Sequence, residues 1–182
     1  MTDVSVFSNP AGRSIENARA YVAAVLALLG NRDPLAVLGA TPAALERTVN
    51  RLSPEQIRRP EAPGKWAIRD VLQHLADSEL VWAYRVRVVL AQDRPPLSGY
   101  DQDLWSRRLG YDKSDPREAI DEFQILRRAN LRLLERLSPA DLKRVGVHAE
   151  RGDESLEHMI RLYAGHDILH LRQIERIVPE VP

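Results

Sequence analysis

Two histidines, His166 and His170, stand four residues apart in the segment YAGHDILHLRQIERI that runs from Tyr163 to Ile177. Apolar residues recur there at helical intervals, and no Pro or Gly follows Gly165 before the segment ends, so it reads as a helix. Residues four apart lie one turn above each other on the same helix face. On a wheel, Leu156, Met159, Ile160, Tyr163, His166, His170, Leu171 and Ile174 share one broad arc, with Arg161, Arg172 and Arg176 opposite. Two imidazoles on a buried face suit a divalent metal, which takes neutral nitrogen ligands in a desolvated pocket. The pair alone also describes two core histidines bonded to carbonyls. A metal reading therefore needs a third ligand from elsewhere in the chain.

His74 is the candidate. It sits in WAIRDVLQHLADSEL, mid-helix, at the edge of that helix's apolar stripe, and so can reach a helical core. His148 falls in a polar connector and His158 outside the inward arc, and both read as surface residues. One histidine from one helix and two from another make a three-nitrogen set with open positions for water or substrate, which is the catalytic rather than the structural arrangement. Imidazole nitrogens suit zinc, nickel, iron and copper alike.

Several neighbours could orient or assist such a site. Asp167 lies on the inward arc beside the histidines; its carboxylate could accept from a ligand's free ring N–H or pair with an arginine at the helix border. Asp70, Asp77 and Ser78 lie about one turn from His74, where solvated helix surface is the simpler reading. Asp101 and Asp103 belong to a loop that could close over the site, or cap and solvate that loop. Trp66, Trp82 and Trp105 read as packing residues. Arg85, three turns beyond His74 on nearly the same side, could meet a substrate carboxylate, though most arginines here read as solvated helix faces.

The elements that must position these residues are helices. Ser14 is a candidate cap for a first helix to about Leu29, after an irregular lead-in over residues 1–13. Asp33-Pro34 is expected to start a short turn ending at Gly39, and Thr41-Pro42 to cap a new helix to about Leu52. Ser53-Pro54 repeats the device, and residues 60–65 form a rigid connector. Trp66 to about Leu90 is a long amphipathic helix. DRPPLSG, residues 93–99, breaks it, and the segment from Tyr100 to Tyr111 holds a short helix in a long crossover. Asp115-Pro116-Arg117-Glu118 opens the next helix, to about Leu137. Ser138-Pro139 starts a short turn, and RGDES leads into the last helix. No strand alternation extends beyond a few residues. The expected fold is all-α, a four-helix bundle with a long crossover between the second and third bundle helices.

Composition bounds the function. The 182 residues, 29% charged and 44% hydrophobic, suit one globular domain, here 1–182, with 1–37 as lead-in and accessory helix. Acidic and basic residues balance at 26 each, which argues against nucleic acid or a polybasic membrane-surface role. With no cysteine, disulfides, thiolate metal sites and a Cys nucleophile are excluded, and any thiol chemistry would need an external thiol. The start, MTDVSVFSNPAGR, lacks a signal-peptide layout, and the longest apolar stretch, Ala20 to Leu29, is too short to span a bilayer. The expected location is the cytoplasm.

Three stretches together resemble the DinB/YfiT-like superfamily. GKWAIRDVLQHLADSE is similar to its Trp…His-Leu…acid signature, GYDQDLW at 99–105 to its aromatic-acid loop with a Trp, and RLYAGHDILHLRQI to its C-terminal H-x-x-x-H helix. The resemblance runs from roughly Leu38 to Ile177. It implies a four-helix bundle, often a homodimer, holding nickel or zinc, with iron or manganese as other choices, through His74, His166 and His170. Some members resemble S-transferases that use a low-molecular-weight thiol such as bacillithiol or mycothiol, and one branch isomerises maleylpyruvate. The function expected is a metal-dependent transferase (thiol S-transferase-like) or hydrolase acting on a small molecule. The alternatives are a non-catalytic metal- or ligand-binding bundle and a metal-free bundle. A zinc protease is disfavoured: HDILH has Asp167 where H-E-x-x-H has Glu, and no downstream ligand helix follows.

Overall fold

The computed structural model describes residues 15–178, with side chains from residue 18. The expected lead-in and the Ser14 cap lie outside these residues. Eight helices are seen: α1 (Ile15–Leu29), α2 (Pro34–Val49), α3 (Pro54–Arg58), α4 (Ile68–Ala91), α5 (Gln102–Leu109), α6 (Pro116–Leu134), α7 (Pro139–Leu142) and α8 (Leu156–Ile177). The long helices α2, α4, α6 and α8 pack as the four-helix bundle, with α1 laid along α8. The crossover between α4 and α6 carries α5 and a 3₁₀ turn at Tyr111–Lys113.

Caps set the starts. Asp33, Asp101, Asp115 and Ser155 each accept from backbone N–H groups of the helix they open, and Ser53 with Gln56 and Ser138 with Asp141 form capping boxes. Asp70 accepts from Ala67 N at 2.9 Å at the start of α4, so it secures a helix end and does not orient His74.

Two expectations are corrected. Asp33 opens not a short turn but a helix that continues through Gly39, Thr41 and Pro42 to Val49. A proline inside a helix leaves the carbonyl four residues earlier without its partner. Here Leu38 O accepts from Arg127 Nη1 of α6 at 2.8 Å, and Thr41 Oγ1 donates to Val37 O at 3.0 Å. The helix persists because a neighbour satisfies the freed group. Secondly, the bundle carries a small sheet ordered β1 (Pro96–Leu97), β2 (Val145–His148), β3 (Gly152–Ser155). β1 runs parallel to β2 with Pro96 opposite Val147, and β2 pairs antiparallel to β3 with Gly146 opposite Glu154. RGDES, which leads into α8, is thus largely strand. Four-residue strands offer two periods of alternation, too few to read. A Cβ on Gly146 would sit 2.6 Å from Leu97 Cδ1 and 2.9 Å from Val89 Cγ2, so only glycine lets the sheet press onto α4.

Apolar packing falls into separate clusters along the bundle. One cluster centres on Leu45, Val71, Leu75, Phe123 and Ile174, and another on Leu38, Trp82, Val86, Leu134 and Ile160. α1 contributes Tyr21 and Val25 against Leu162 and Leu169. The helices approach so closely at Gly165 that a Cβ there would lie 2.3 Å from Val25 O. Among the described residues, no single helix is long and apolar enough to cross a membrane; α1 and α2 pass such a test only as a pair bent by 84°.

Between those clusters lies a charged knot. Arg127 is fully buried; its Nε and Nη2 donate to Glu79 Oε2 of α4 at 3.0 and 2.8 Å, and Nη1 and Nη2 to Asp167 of α8 at 2.6 and 3.1 Å. With Leu38 O, one guanidinium on α6 therefore bonds all three other bundle helices. Asn130 Nδ2 donates to the remaining Glu79 oxygen at 2.7 Å, and the Arg127 guanidinium lies 4.6 Å from the Phe123 ring. Burial pulls the Arg127 pKa down, but Asp167 and Glu79 more than offset it and hold the cation charged. Burial outweighs Arg127 at Glu79, whose pKa is raised.

Candidate metal centre

His74 comes from the middle of α4, and His166 and His170 from successive turns of α8. Each helix is fixed in rotation by a charged residue next to a site residue. Glu79 follows Ser78 and Asp167 follows His166, and both carboxylates are held by Arg127. The three rings converge. His166 Nε2 is 3.2 Å from His74 Nε2 and 3.1 Å from His170 Nε2, and one nitrogen from each ring lies within 4.8 Å of the others. His74 and His170 are buried and His166 is half-buried.

The protonation states follow from burial. Desolvation, then the neighbouring imidazoles, pushes His74 and His166 well below the ordinary histidine value. Burial takes His170 down to about 4, with Gln173 and Asp167 opposing it. All three rings are therefore neutral near pH 7, the form a metal ligand requires. His170 Nδ1 lies 2.9 Å from Gln173 Oε1. An amide oxygen only accepts, so that ring carries its proton on Nδ1 and keeps the Nε2 lone pair for the cluster. The Nδ1 atoms of His74 and His166 are buried without a protein partner.

This donor set fits a divalent ion. Nitrogens about 2.0–2.1 Å from a tetrahedral ion stand about 3.3 Å apart, close to the 3.1 and 3.2 Å separations here. All three candidate donors are imidazole, a set with room for further coordination and no thiolate or carboxylate.

The residues around the triad differ in part from those the sequence suggests. Asp167 is taken up by Arg127, so of its two expected partners it meets the arginine, from a facing helix; Gln173 makes the ring contact instead. That pairing also removes Asp167 as a metalloprotease-like general base. Ser78 Oγ lies 3.3 Å from His74 Nε2 and 2.8 Å from the Tyr100 hydroxyl. Asp77 accepts from Tyr111 OH at 2.5 Å and from Gln73, and it ties the crossover to α4. Asp101 caps α5, and Asp103 is exposed in its first turn. Trp66 packs 4.9 Å from the His74 ring, and Trp105 lies against Tyr100 at 4.5 Å. Trp82, Tyr163 and His166 form a column of rings, with centroids 4.4 and 5.4 Å apart.

His148 corrects another expectation. It is buried on β2, where its Nδ1 accepts from Glu150 N at 3.2 Å; burial, then Arg151 and Arg85, lowers its pKa to about 4. The connector reads as polar because β1, one of the two strands that flank β2, is distant in sequence. Neither His148 nor the half-buried His158 joins the triad. The knot residues Arg127 and Glu79 were not singled out from the sequence, yet the signal existed. Arg127 follows Ile120 and Phe123 at core spacing, and Glu79 falls between Leu75 and Trp82 on the buried stripe of α4.

A four-helix bundle whose inward histidines converge beside stacked aromatic rings has the form of a metal-binding bundle. Comparison with known proteins agrees. The profile of the DinB superfamily matches residues 38–174, and the chain belongs to that superfamily. It is 33% identical over 134 residues to a protein of Oceanobacillus iheyensis named "Putative metal-dependent hydrolase", covering 73% of this chain and 77% of the relative. With YfiT of Bacillus subtilis, which carries the same description, identity is 29% over 142 residues, 78% of this chain and 80% of YfiT. The solved structure of YfiT, described as a probable metal-dependent hydrolase with an unusual four-helix bundle topology, superposes with a TM-score of 0.75 at 28% identity, covering 79% of this chain and 83% of that one.

Proposed function

We propose that this protein is a metal-dependent hydrolase of small molecules, with His74, His166 and His170 as the ligands of one divalent ion. The observation that carries the reading is the convergence of three neutral imidazoles, with His166 Nε2 3.1–3.2 Å from the Nε2 atoms of His74 and His170, beside an open cavity. The names of the relatives support hydrolysis as the reaction type.

When bound, a divalent ion supplies Lewis acidity at an acyl or phosphoryl oxygen. The protein's own residues do the rest. Gln173 fixes the His170 tautomer, and Trp66 packs on His74 to keep water from that side. Burial raises the Tyr100 pKa, so the phenol stays a proton donor, and it lies within hydrogen-bond distance of Ser78 Oγ. That hydroxyl pair lines the cavity beside His166. It can donate to an oxygen on which negative charge develops, the contribution expected of a preorganised donor.

Nickel and zinc are the ions the family resemblance favours, with iron and manganese also compatible with the reading. A cytoplasmic homodimer built from one domain over residues 1–182 completes it. The test is elemental analysis of tag-free protein, followed by a panel of ester, amide and phosphoester substrates with and without chelator. About one divalent ion per chain is expected in the wild type and little in His74→Ala, with turnover restored on adding metal back and no thiol required. Turnover only with an added low-molecular-weight thiol selects the S-transferase alternative. Bound metal without turnover on any substrate selects a binding bundle, and absence of metal removes the enzyme reading.

A further inference from the structure

The cavity beside the triad holds a charge that hydrolysis at the histidines does not use. It is an open-sided space whose wall includes Ser78, Trp82, Arg85, Tyr100, Tyr163 and His166. Two further wall residues cancel: Arg151 grips Glu154 with Nε and Nη2 at 2.6 and 2.9 Å. Arg85 has no such partner. Among the described residues, no carboxylate lies within ion-pair distance of it, and its guanidinium donates to the carbonyl of Ser98. Among the described residues, four of the five guanidinium N–H groups find no acceptor. The local balance is one positive charge facing aromatic rings. Desolvation, with Arg151 nearby, lowers the Arg85 pKa, a cost that an incoming anion would offset.

Position matters as much as charge. Ser78 and Arg85 are seven residues apart on α4, two turns along one face, about 10 Å of helix. Helical side chains lean toward the N-terminus, so the Arg85 side chain spans back toward Ser78 and the triad. Trp82 and Tyr163, stacked at 4.4 Å, line the interval.

We propose that Arg85 is the anion-recognition residue of this cavity, and that the substrate is a small molecule with a carboxylate at Arg85, an apolar or aromatic body along the Trp82 and Tyr163 rings, and its hydrolysable group beside Ser78 and His166. A single unpaired guanidinium fork matches a monoanionic carboxylate; a phosphate dianion calls for a second cation, and Arg151 is already spent. Only the identity of the reacting end rests on the hydrolase reading.

Benzoate is the probe and benzamide its neutral counterpart. Binding to the full chain is followed by calorimetry and by quenching of tryptophan fluorescence, after chelator treatment and again with zinc. In chelator-treated protein, millimolar benzoate is expected to bind, with benzamide about tenfold or more weaker. Arg85→Gln should erase that preference, while Arg85→Lys should keep part of it. Circular dichroism and unfolding midpoints check that both variants fold; if Arg85→Gln does not, the graded loss in Arg85→Lys decides. The proposal is overturned if the wild type binds benzoate no better than benzamide, if both variants keep the wild-type preference, or if benzoate binds only with zinc present. Those results leave metal content and turnover untouched. Arg85-dependent benzoate binding in a protein that takes up no metal would instead remove the hydrolase reading and leave the anion site standing.

Discussion

Replacing Arg127 by Met keeps most of the side-chain volume and removes the one cation between Glu79 and Asp167. Both carboxylates are fully buried, so neither can turn to water without moving its helix, and Leu38 O loses its donor as well. Breaking a buried ion pair from one side costs about 3–5 kcal/mol. For 182 residues, unfolding entropy near Tm gives about 0.4 kcal/mol per degree, so Arg127→Met should melt about 8–13 °C lower. The sign of the pH dependence is a sharper check. In the variant, Glu79 loses the cation that opposes the effect of burial, so its folded pKa, already raised by burial, rises further above the unfolded one. A raised carboxyl contributes stability that is complete below the unfolded pKa and lost as pH rises through the folded one. The gap to wild type should therefore be wide at pH 7 and narrow by about 1 kcal/mol or more at pH 5. The assay is urea unfolding at both pH values on chelator-treated protein, so that metal linkage does not enter. Glu79→Gln/Arg127→Met/Asp167→Asn, which leaves no charge stranded, should recover more than half the loss. A variant within about 1 kcal/mol of wild type at pH 7, or a gap that widens on acidification, would refute the reasoning.

Gln173→Met should lower metal affinity about 10–100-fold, read by competition with a chromophoric chelator, while the unfolding midpoint of metal-free protein stays within about 2 °C; unchanged affinity would show that the His170 tautomer is set elsewhere. Gly165→Ala should destabilise by about 1–3 kcal/mol despite alanine's better helix propensity, because the added Cβ meets the Val25 carbonyl and α1 must shift; a stabilised variant in urea unfolding would contradict that approach. His148, held down to about 4 by burial and then Arg151 and Arg85, sits below its unfolded value. The unfolded chain therefore takes up the proton first, and the stability His148 contributes, complete above about pH 6.5, is lost as pH falls toward 4. His148→Gln should flatten the wild-type decline in that interval, measured by unfolding midpoints in buffers from pH 7 to 4.

What the sequence reveals and what it hides have separate physical causes. Helices α4, α6 and α8 are legible because each repeats apolar residues over several turns, and α6 and α8 begin at a side-chain cap. The three histidines are legible as inward positions for the same reason. The course of α2 is not, since proline is a local signal of a helix start, whereas the reason α2 continues through it is an arginine 85 residues further on. The small sheet is hidden because its pairing joins residues 96–97 to 147–148 through short strands with no pattern of their own. Asp167 could be read as inward, but its partner could not, because many arginines compete on paper and only packing selects Arg127. Gln173 escaped for the opposite reason: a polar residue one turn from His170 looks like ordinary helix surface until the ring's orientation is known.

The guanidinium of Arg127 has a bearing on how the bundle assembles. Its donors are complete only when α2, α4 and α8 are all docked against α6. An intermediate with two or three helices in place would hold a desolvated cation short of acceptors, or strand an acid without its counter-charge, and either is too costly to accumulate. The chain is thereby pushed toward a single concerted closing, and the histidines come into register in that same event.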